Sequence, residues 1–248
     1  MNSVLKKEAA AKKYIKEVEV KESGENQKIL QLTLKKTPEL DEKNVHLLTI
    51  PSGLYRLVAT SKKRIKNYTE HLNSIISQAI DLSESSEVIF GQRHDAHITS
   101  LAVEKKLTEN PKINTINDKL CSMCKGGCCT AGRNKAYLTV DIIRRFMDIN
   151  SGLSSKDILD LYVSNIRSIT VDGACINQTK IGCALPREMR SNTCNGYYCD
   201  SLKSYQKELA GKINTGRILA IQRSKTNWNR FDPDESHKIV NVVLLPES

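Results

Sequence analysis

Four cysteines stand close together in the segment KLCSMCKGGCCT, namely Cys121, Cys124, Cys128 and Cys129. Thiolates are the ligands that zinc and iron–sulfur clusters prefer. Neighbouring Cα atoms lie about 3.8 Å apart, less than the roughly 4.4–6.8 Å of a relaxed disulfide, so the vicinal pair is a poor disulfide. Gly126 and Gly127 permit a tight loop whose amide N–H groups face sulfur. The spacing therefore predicts a metal knuckle.

A second group of cysteines follows downstream, with wider spacing, and consists of Cys175, Cys183, Cys194 and Cys199. Eight thiols allow two four-cysteine sites, or one such site with a redox or structural remainder. Four sulfur ligands suit zinc or iron, bound as an ion or as an iron–sulfur cluster, and the spacing does not separate these alternatives. All eight cysteines are candidate metal ligands.

The amino terminus, MNSVLKKEAAAKKYIKEVEV, has no apolar stretch or cleavage site typical of a secretory signal. No run of about 18 apolar residues predicts a membrane span. We therefore expect a cytoplasmic protein. Cytoplasmic thiols are kept reduced, which favours metal ligation over structural disulfides.

Three features in this order resemble the bacterial YkgJ-type cysteine-cluster family, a zinc- or iron-chelating domain: C-x2-C-x3-CC, then AYLTVDIIRRF, then GCALPREMRSNTCNGYYCD. The resemblance spans roughly residues 119–205. The family pattern has two residues before the vicinal pair, where this chain has the three residues 125–127. Many members also carry Arg-Pro where this chain has Arg190 and Ser191. The resemblance implies metal binding through the cysteine clusters.

Flagellin lysine N-methylases are similar to that family, so the resemblance also implies an alternative activity, methyl transfer to a protein lysine with S-adenosylmethionine. The sequence has neither a glycine-rich nucleotide fingerprint nor a P-loop to support it. A structural-zinc module that binds protein or nucleic acid is a third alternative. No catalytic residue is assigned, because no histidine falls between residues 98 and 236 to serve a cysteine nucleophile.

The net charge of +10 and the pI near 9.2 favour an acidic partner. Nucleic acid is a weaker alternative, since aromatic residues make up 5% of the chain and no stacking motif occurs. Part of the positive charge has a local explanation, because thiolate sites are anionic. Basic residues flank the cysteines at Lys125, Arg133, Lys180, Arg187 and Arg190.

The patterning predicts a mainly α-helical fold with a few short strands, with α+β as the alternative, and an irregular cysteine-rich metal-binding core supported by helices. We place a domain boundary near residue 115, giving domains 1–115 and 116–248. The first domain is expected to contain a helix over residues 1–20, a hairpin of residues 30–34 with 45–50, and a long amphipathic helix from Pro51 to Ala79.

In the second domain we expect helices that begin after Thr139, after Ser154 or Ser155, and near Cys199, where the helix dipole favours a thiolate. The segment HKIVNVVLLP is typical of an edge strand. His94 and His97 form an H-x2-H pair that a helix would place on one face, an alternative pair of metal ligands. No role is assigned to the remaining histidines, His46, His71 and His237.

Overall fold

A computed structural model of the 248-residue chain describes residues 2–52, 55–82, 111–124, 128–196, 199–209, 216–224 and 236–245. Within these ranges the chain forms seven α-helices and seven strands and is a mixed α+β protein. The helices are α1 (Asn2–Lys36), α2 (Lys62–Ile80), α3 (Pro111–Met123), α4 (Val140–Ile149), α5 (Ser155–Ser164), α6 (Asn192–Gly196) and α7 (Asp200–Leu209). The strands are β1 (Val45–Ser52), β2 (Leu57–Ala59), β3 (Ile169–Val171), β4 (Gln178–Thr179), β5 (Gly182–Cys183), β6 (Arg217–Ser224) and β7 (Ile239–Leu245). Short 3-10 helices are Glu42–Asn44, Cys128–Gly132 and Arg187–Met189.

The chain divides into two compact units, one of Met1–Gly53 with Gly211–Ser248 and one of Leu54–Ala210. The boundary expected near residue 115 falls within the second unit. The candidate histidine pair, His94 and His97, lies outside the described residues. None of the helices in the described ranges has both the length and the apolar composition needed to cross a membrane.

The first unit contains a three-stranded sheet in the order β1-β6-β7. Strand β6 runs parallel to β1 and antiparallel to β7. It is the central strand, and its six inner residues are buried because both of its edges and both of its faces are covered. Strand β7 lies at the edge, which confirms the prediction for that segment.

Helix α1 replaces the predicted hairpin, so the interpretation of residues 30–34 as a strand was wrong. The alternating leucines suggested a strand, but Leu30 is 5% exposed whereas Leu32 is 53% exposed. The buried positions are instead Glu22, Asn26 and Leu30, spaced four apart as on one helix face. Leucine, lysine and glutamate also favour helix intrinsically.

A buried arginine joins α1 to the central strand. The side chain of Arg223 is 1% exposed. Its guanidinium donates to the Asn26 Oδ1 atom at 2.6 Å, the Glu25 carboxylate at 2.9 Å, and the backbone carbonyls of Glu22 and His237. The His237 ring contacts the Glu22 carboxylate at 2.9 Å. Every N–H of the guanidinium therefore has an acceptor, as a buried cation requires.

The second unit is built around α2, which packs against α4 and α5. Helix α2 begins after Ser61, whose side chain accepts the Arg64 N–H, so the predicted start at Pro51 was wrong. The residues before Ser61 form β2, which pairs with β3. Helix α2 ends at Ile80, as the polar segment after it predicted. Its buried face carries Tyr68, Leu72, Ile75, Ile76 and Ala79.

Two predicted helix starts in this unit are confirmed. Thr139 is the N-cap residue of α4 but makes no side-chain capping bond. Ser154 caps α5 through a capping box with Asp157. The two helices bury Ile143, Phe146, Ile158 and Tyr162 in the same core, which also contains Cys175.

Candidate functional site

Three cysteines of the second group lie in the turns, short strands and short helix that follow β3. Cys175 precedes β4, Cys183 ends β5, and Cys194 lies within α6. Strands β4 and β5 form a small antiparallel hairpin. Gly182 permits its tight approach to α3, since it has φ +117° and a Cβ there would lie 2.9 Å from the Ser122 Cβ.

Backbone hydrogen bonds join this region to the first cysteine group. The Cys175 N–H donates to the Cys129 carbonyl at 3.0 Å, and the Ile176 N–H donates to the Arg133 carbonyl at 2.7 Å. Cys129 is half-buried and packs against the core that contains Cys175. Residues 46 and 43 positions apart in sequence are thus brought side by side.

Arg64 holds the turn that precedes Cys175. Its guanidinium on α2 donates to the Ala174 carbonyl at 2.6 Å, the Asn134 Oδ1 atom at 2.8 Å, and the Thr170 hydroxyl at 3.3 Å. One rigid helix therefore fixes the backbone on both sides of the turn.

Cys175 is a buried thiol. Burial raises its pKa to about 12, and the Asn177 backbone N–H opposes this rise by donating to the sulfur. A backbone N–H that points at the sulfur of the cysteine two residues earlier stabilises the thiolate form of that cysteine. In the absence of a cation, the Cys175 thiol is neutral at neutral pH.

Cys183 and Cys194 keep accessible surface yet are surrounded by protein. Desolvation by that protein raises the pKa of both thiols. Hydrogen bonds oppose the rise: the Leu185 amide and the Arg190 guanidinium donate to Cys183, and the Ser191 hydroxyl and amide donate to Cys194.

The three thiols of Cys175, Cys183 and Cys194 are close enough for each to affect the others. The charges of Cys183 and Cys194 both raise the pKa of Cys175, and that of Cys183 raises the pKa of Cys194. All three carry free thiols. Three of the eight predicted ligands, from three separate segments, therefore lie within electrostatic range of one another.

A charged cluster lies beside this thiol group. The Asp118 carboxylate on α3 accepts from Arg187 at 2.6 Å and from Arg190 at 3.4 Å. Arg190 also donates to the Leu185 carbonyl at 2.8 Å, which fixes its guanidinium near Cys183. The sequence had indicated both arginines as neighbours of cysteines. Asp118 was missed, because its partners Arg187 and Arg190 lie 69 and 72 positions later in the sequence.

The other cysteines lie on or near α3 and α7. Cys121 lies in the last turn of α3 and Cys124 directly follows that helix, while Cys128 and Cys129 begin a 3-10 helix. Cys199 directly precedes α7, as predicted, and its carbonyl accepts the Lys203 N–H at 2.9 Å. Helix α3 packs against both β5 and α7.

Helix α3 leads into the first cysteine group. It begins at Pro111, a position where the missing N–H of proline costs no hydrogen bond. Ile116 and Leu120 are buried on one face of this helix, and Cys124, directly after its end, is buried as well. The two predicted loop glycines, Gly126 and Gly127, lie outside the described residues, as do Tyr197 and Tyr198.

Over the part of the chain that the structure describes, no group of three Cys, His, Asp or Glu side chains is arranged so that it could hold a metal ion. Comparison of the chain with protein-family models, with curated proteins and with solved structures finds no match.

Proposed function

We propose that the second unit is a metal-binding domain that chelates zinc or iron, as an ion or as an iron–sulfur cluster, through its cysteine thiolates. The observation that carries this proposal is the convergence of Cys175, Cys183 and Cys194 from three separate segments. Three thiols within electrostatic range of one another are a donor set that suits a soft metal.

The surroundings of the three sulfur atoms fit thiolate ligation. Cys175 and Cys183 each accept an N–H from the residue two positions later, and Cys194 accepts from Ser191. Such bonds stabilise the negative charge that sulfur carries when it is a ligand. In the metal-free protein, burial disfavours negative charge on these sulfur atoms. A bound metal cation would supply the positive charge that offsets it.

Backbone contacts indicate how the eight cysteines divide between two metal centres. Cys129 is bonded to Cys175 through its carbonyl. We therefore assign Cys129 to the same centre as Cys175, Cys183 and Cys194. We assign the cysteines on or near α3 and α7, namely Cys121, Cys124, Cys128 and Cys199, to a separate centre.

The residues around the first centre have distinct roles in this proposal. Arg190 offsets the negative charge of the thiolates and is itself oriented by Asp118. Arg64 fixes the turn that carries Cys175. When bound, zinc would supply a structural crosslink, and iron would supply a site for electron transfer.

The cytoplasm, which the sequence favours, keeps such thiols reduced and available. An acidic partner, which the net charge of +10 favours, stays a prediction.

The test is anaerobic purification followed by elemental analysis and a visible spectrum. The wild-type protein should carry zinc, or iron together with the visible absorption of an iron–sulfur cluster. The double variant Cys183→Ser/Cys194→Ser should lose about half of the bound metal. Thr193→Ala is the matched control, because Thr193 is exposed on α6 and directly precedes Cys194. Wild-type protein that binds neither metal after anaerobic reconstitution would overturn the proposal.

A further inference from the structure

The first half of α1 gathers its lysines on one face. An α-helix turns about 100° per residue, so the side chains of residues 5–20 can be placed around its axis. A sector about 120° wide contains only apolar and basic residues. We call this sector the lysine face, and its residues, all of them exposed, are Leu5, Lys6, Ala9, Lys12, Lys13, Lys16 and Val20.

The opposite side of the same helical half is the inner side. Its half-buried residues are Ala11, Tyr14 and Val18. These positions are in line with Glu22 and Asn26, which are buried further along α1. The Asn26 side chain accepts a hydrogen bond from Arg223 on the central strand. The lysine face is therefore the outer face of α1.

Two large apolar side chains are exposed on the lysine face. Leu5 is 55% exposed and Val20 is 67% exposed. They lie at the two ends of the face, about 22 Å apart along the helix axis. A surface that matches this face must offer negative charge to the lysines and an apolar layer to Leu5 and Val20.

Anionic lipid satisfies both requirements. Lysines on a helix that lies in the plane of a membrane bind the lipid phosphates, and apolar side chains enter the boundary between headgroups and acyl chains. Nucleic acid satisfies only the first requirement, because its outer surface is phosphate and sugar. Proteins that stack on its bases use aromatic or arginine side chains, and the lysine face has neither.

We propose that the lysine face of α1 docks on the surface of an anionic phospholipid bilayer. The helix lies along the surface and does not cross it. Leu5 and Val20 enter the headgroup layer, while the residues that bind lipid phosphates are Lys6, Lys12, Lys13 and Lys16. The net charge of +10 attracts the whole chain to the same surface. This inference does not depend on metal binding.

One ion pair at the border of the lysine face competes with docking only weakly. The Lys13 Nζ atom lies 3.9 Å from the Glu17 carboxylate, and the two side chains are 80% and 64% exposed. Exposed pairs of this kind contribute little to stability because water and salt screen them. Lipid phosphates can therefore replace Glu17 as the partner of Lys13.

The experiment measures cosedimentation of the full chain with vesicles. The wild-type protein should bind vesicles that contain phosphatidylglycerol and should not bind vesicles of phosphatidylcholine alone. Lys12→Glu/Lys16→Glu should lower the affinity about thirtyfold or more, since each lysine near an anionic surface contributes about fivefold. Lys62→Glu/Lys63→Glu is the matched control, because both lysines are exposed in the first turn of α2 and the change in net charge is identical.

A second variant separates lipid from other anionic partners. Leu5→Ser/Val20→Ser should weaken vesicle binding about tenfold and leave binding to duplex DNA unchanged. Circular dichroism should show the same helix content in every variant, because all the altered side chains are exposed. No binding of wild-type protein to phosphatidylglycerol vesicles would overturn the proposal. Equal loss of affinity in the two lysine variants would overturn it as well, and so would duplex DNA binding that is tighter than vesicle binding.

Discussion

The guanidinium of Arg190 lies close enough to Cys183 for its charge to oppose the rise in the pKa of that thiol, and the Leu185 carbonyl and Asp118 hold the guanidinium in place. The arginine is therefore oriented before any metal binds. A preoriented cation beside a ligand sulfur stabilises the thiolate form without further ordering of the side chain.

Replacing Arg190 by glutamine should weaken metal binding about ten- to hundredfold, because the charge that faces Cys183 is removed. Competition with a chromogenic chelator measures this affinity. Arg167→Gln is the control, since Arg167 is exposed and the change in net charge is identical. Equal affinities in the two variants would show that Arg190 contributes only to the overall charge.

Replacing Gly182 by alanine should separate β5 from α3 and lower both stability and metal affinity. The added Cβ would lie 2.9 Å from the Ser122 Cβ, at a φ of +117° that alanine rarely adopts. We expect a loss of about 2–5 kcal/mol in the free energy of unfolding. Urea denaturation and metal titration check the two effects.

Gly173→Ala is the matched control for that experiment. Gly173 also has a positive φ, +71°, but a Cβ there meets no atom within 4 Å. Gly173→Ala should lower the free energy of unfolding by about 1–2 kcal/mol through backbone strain and leave metal affinity nearly unchanged. If Gly173→Ala weakened binding as much as Gly182→Ala, contact between β5 and α3 would not be the cause.

Replacing Arg223 by methionine should destabilise the first unit by about 3–5 kcal/mol, because Glu22, Asn26 and their neighbours lose a buried donor. Denaturation followed by circular dichroism measures the loss. Arg217→Met provides the comparison on the same strand, at its partly exposed first position, and should cost under about 1 kcal/mol. A small loss of stability in Arg223→Met would mean that water molecules replace the guanidinium as hydrogen-bond donors to these groups.

His71 should make stability pH-dependent on the acid side. Partial burial lowers the pKa of His71, and the ring donates from Nε2 to the Leu138 carbonyl at 3.0 Å. The unfolded chain takes up a proton near pH ~6.5, whereas the folded chain resists it until lower pH, so stability falls as the pH drops below about 6.5. In His71→Gln, which keeps a donor but does not titrate, this fall should be smaller between about pH 6.5 and 5. Identical profiles by thermal unfolding would contradict the prediction.

The sequence by itself determined the features that depend on neighbours along the chain. Ser154 and Asp157 form a capping box because both partners lie within one turn, and the end of α2 follows from the polar residues after Ile80. The choice of cysteines as candidate ligands likewise needed only residue type and spacing.

Tertiary structure decided what depends on distant partners. Residues 30–34 read as a strand by alternation, but the face that includes Glu22, Asn26 and Leu30 packs against the sheet, and burial there selects the helix. Strand β1 pairs with β6, which lies 172 positions later at Val45 and Arg217, so no local pattern could reveal it. The placement of Cys175 beside the Cys129 backbone and within electrostatic range of Cys183 and Cys194 arises in the same way, because hydrogen bonds and packing between remote segments set it.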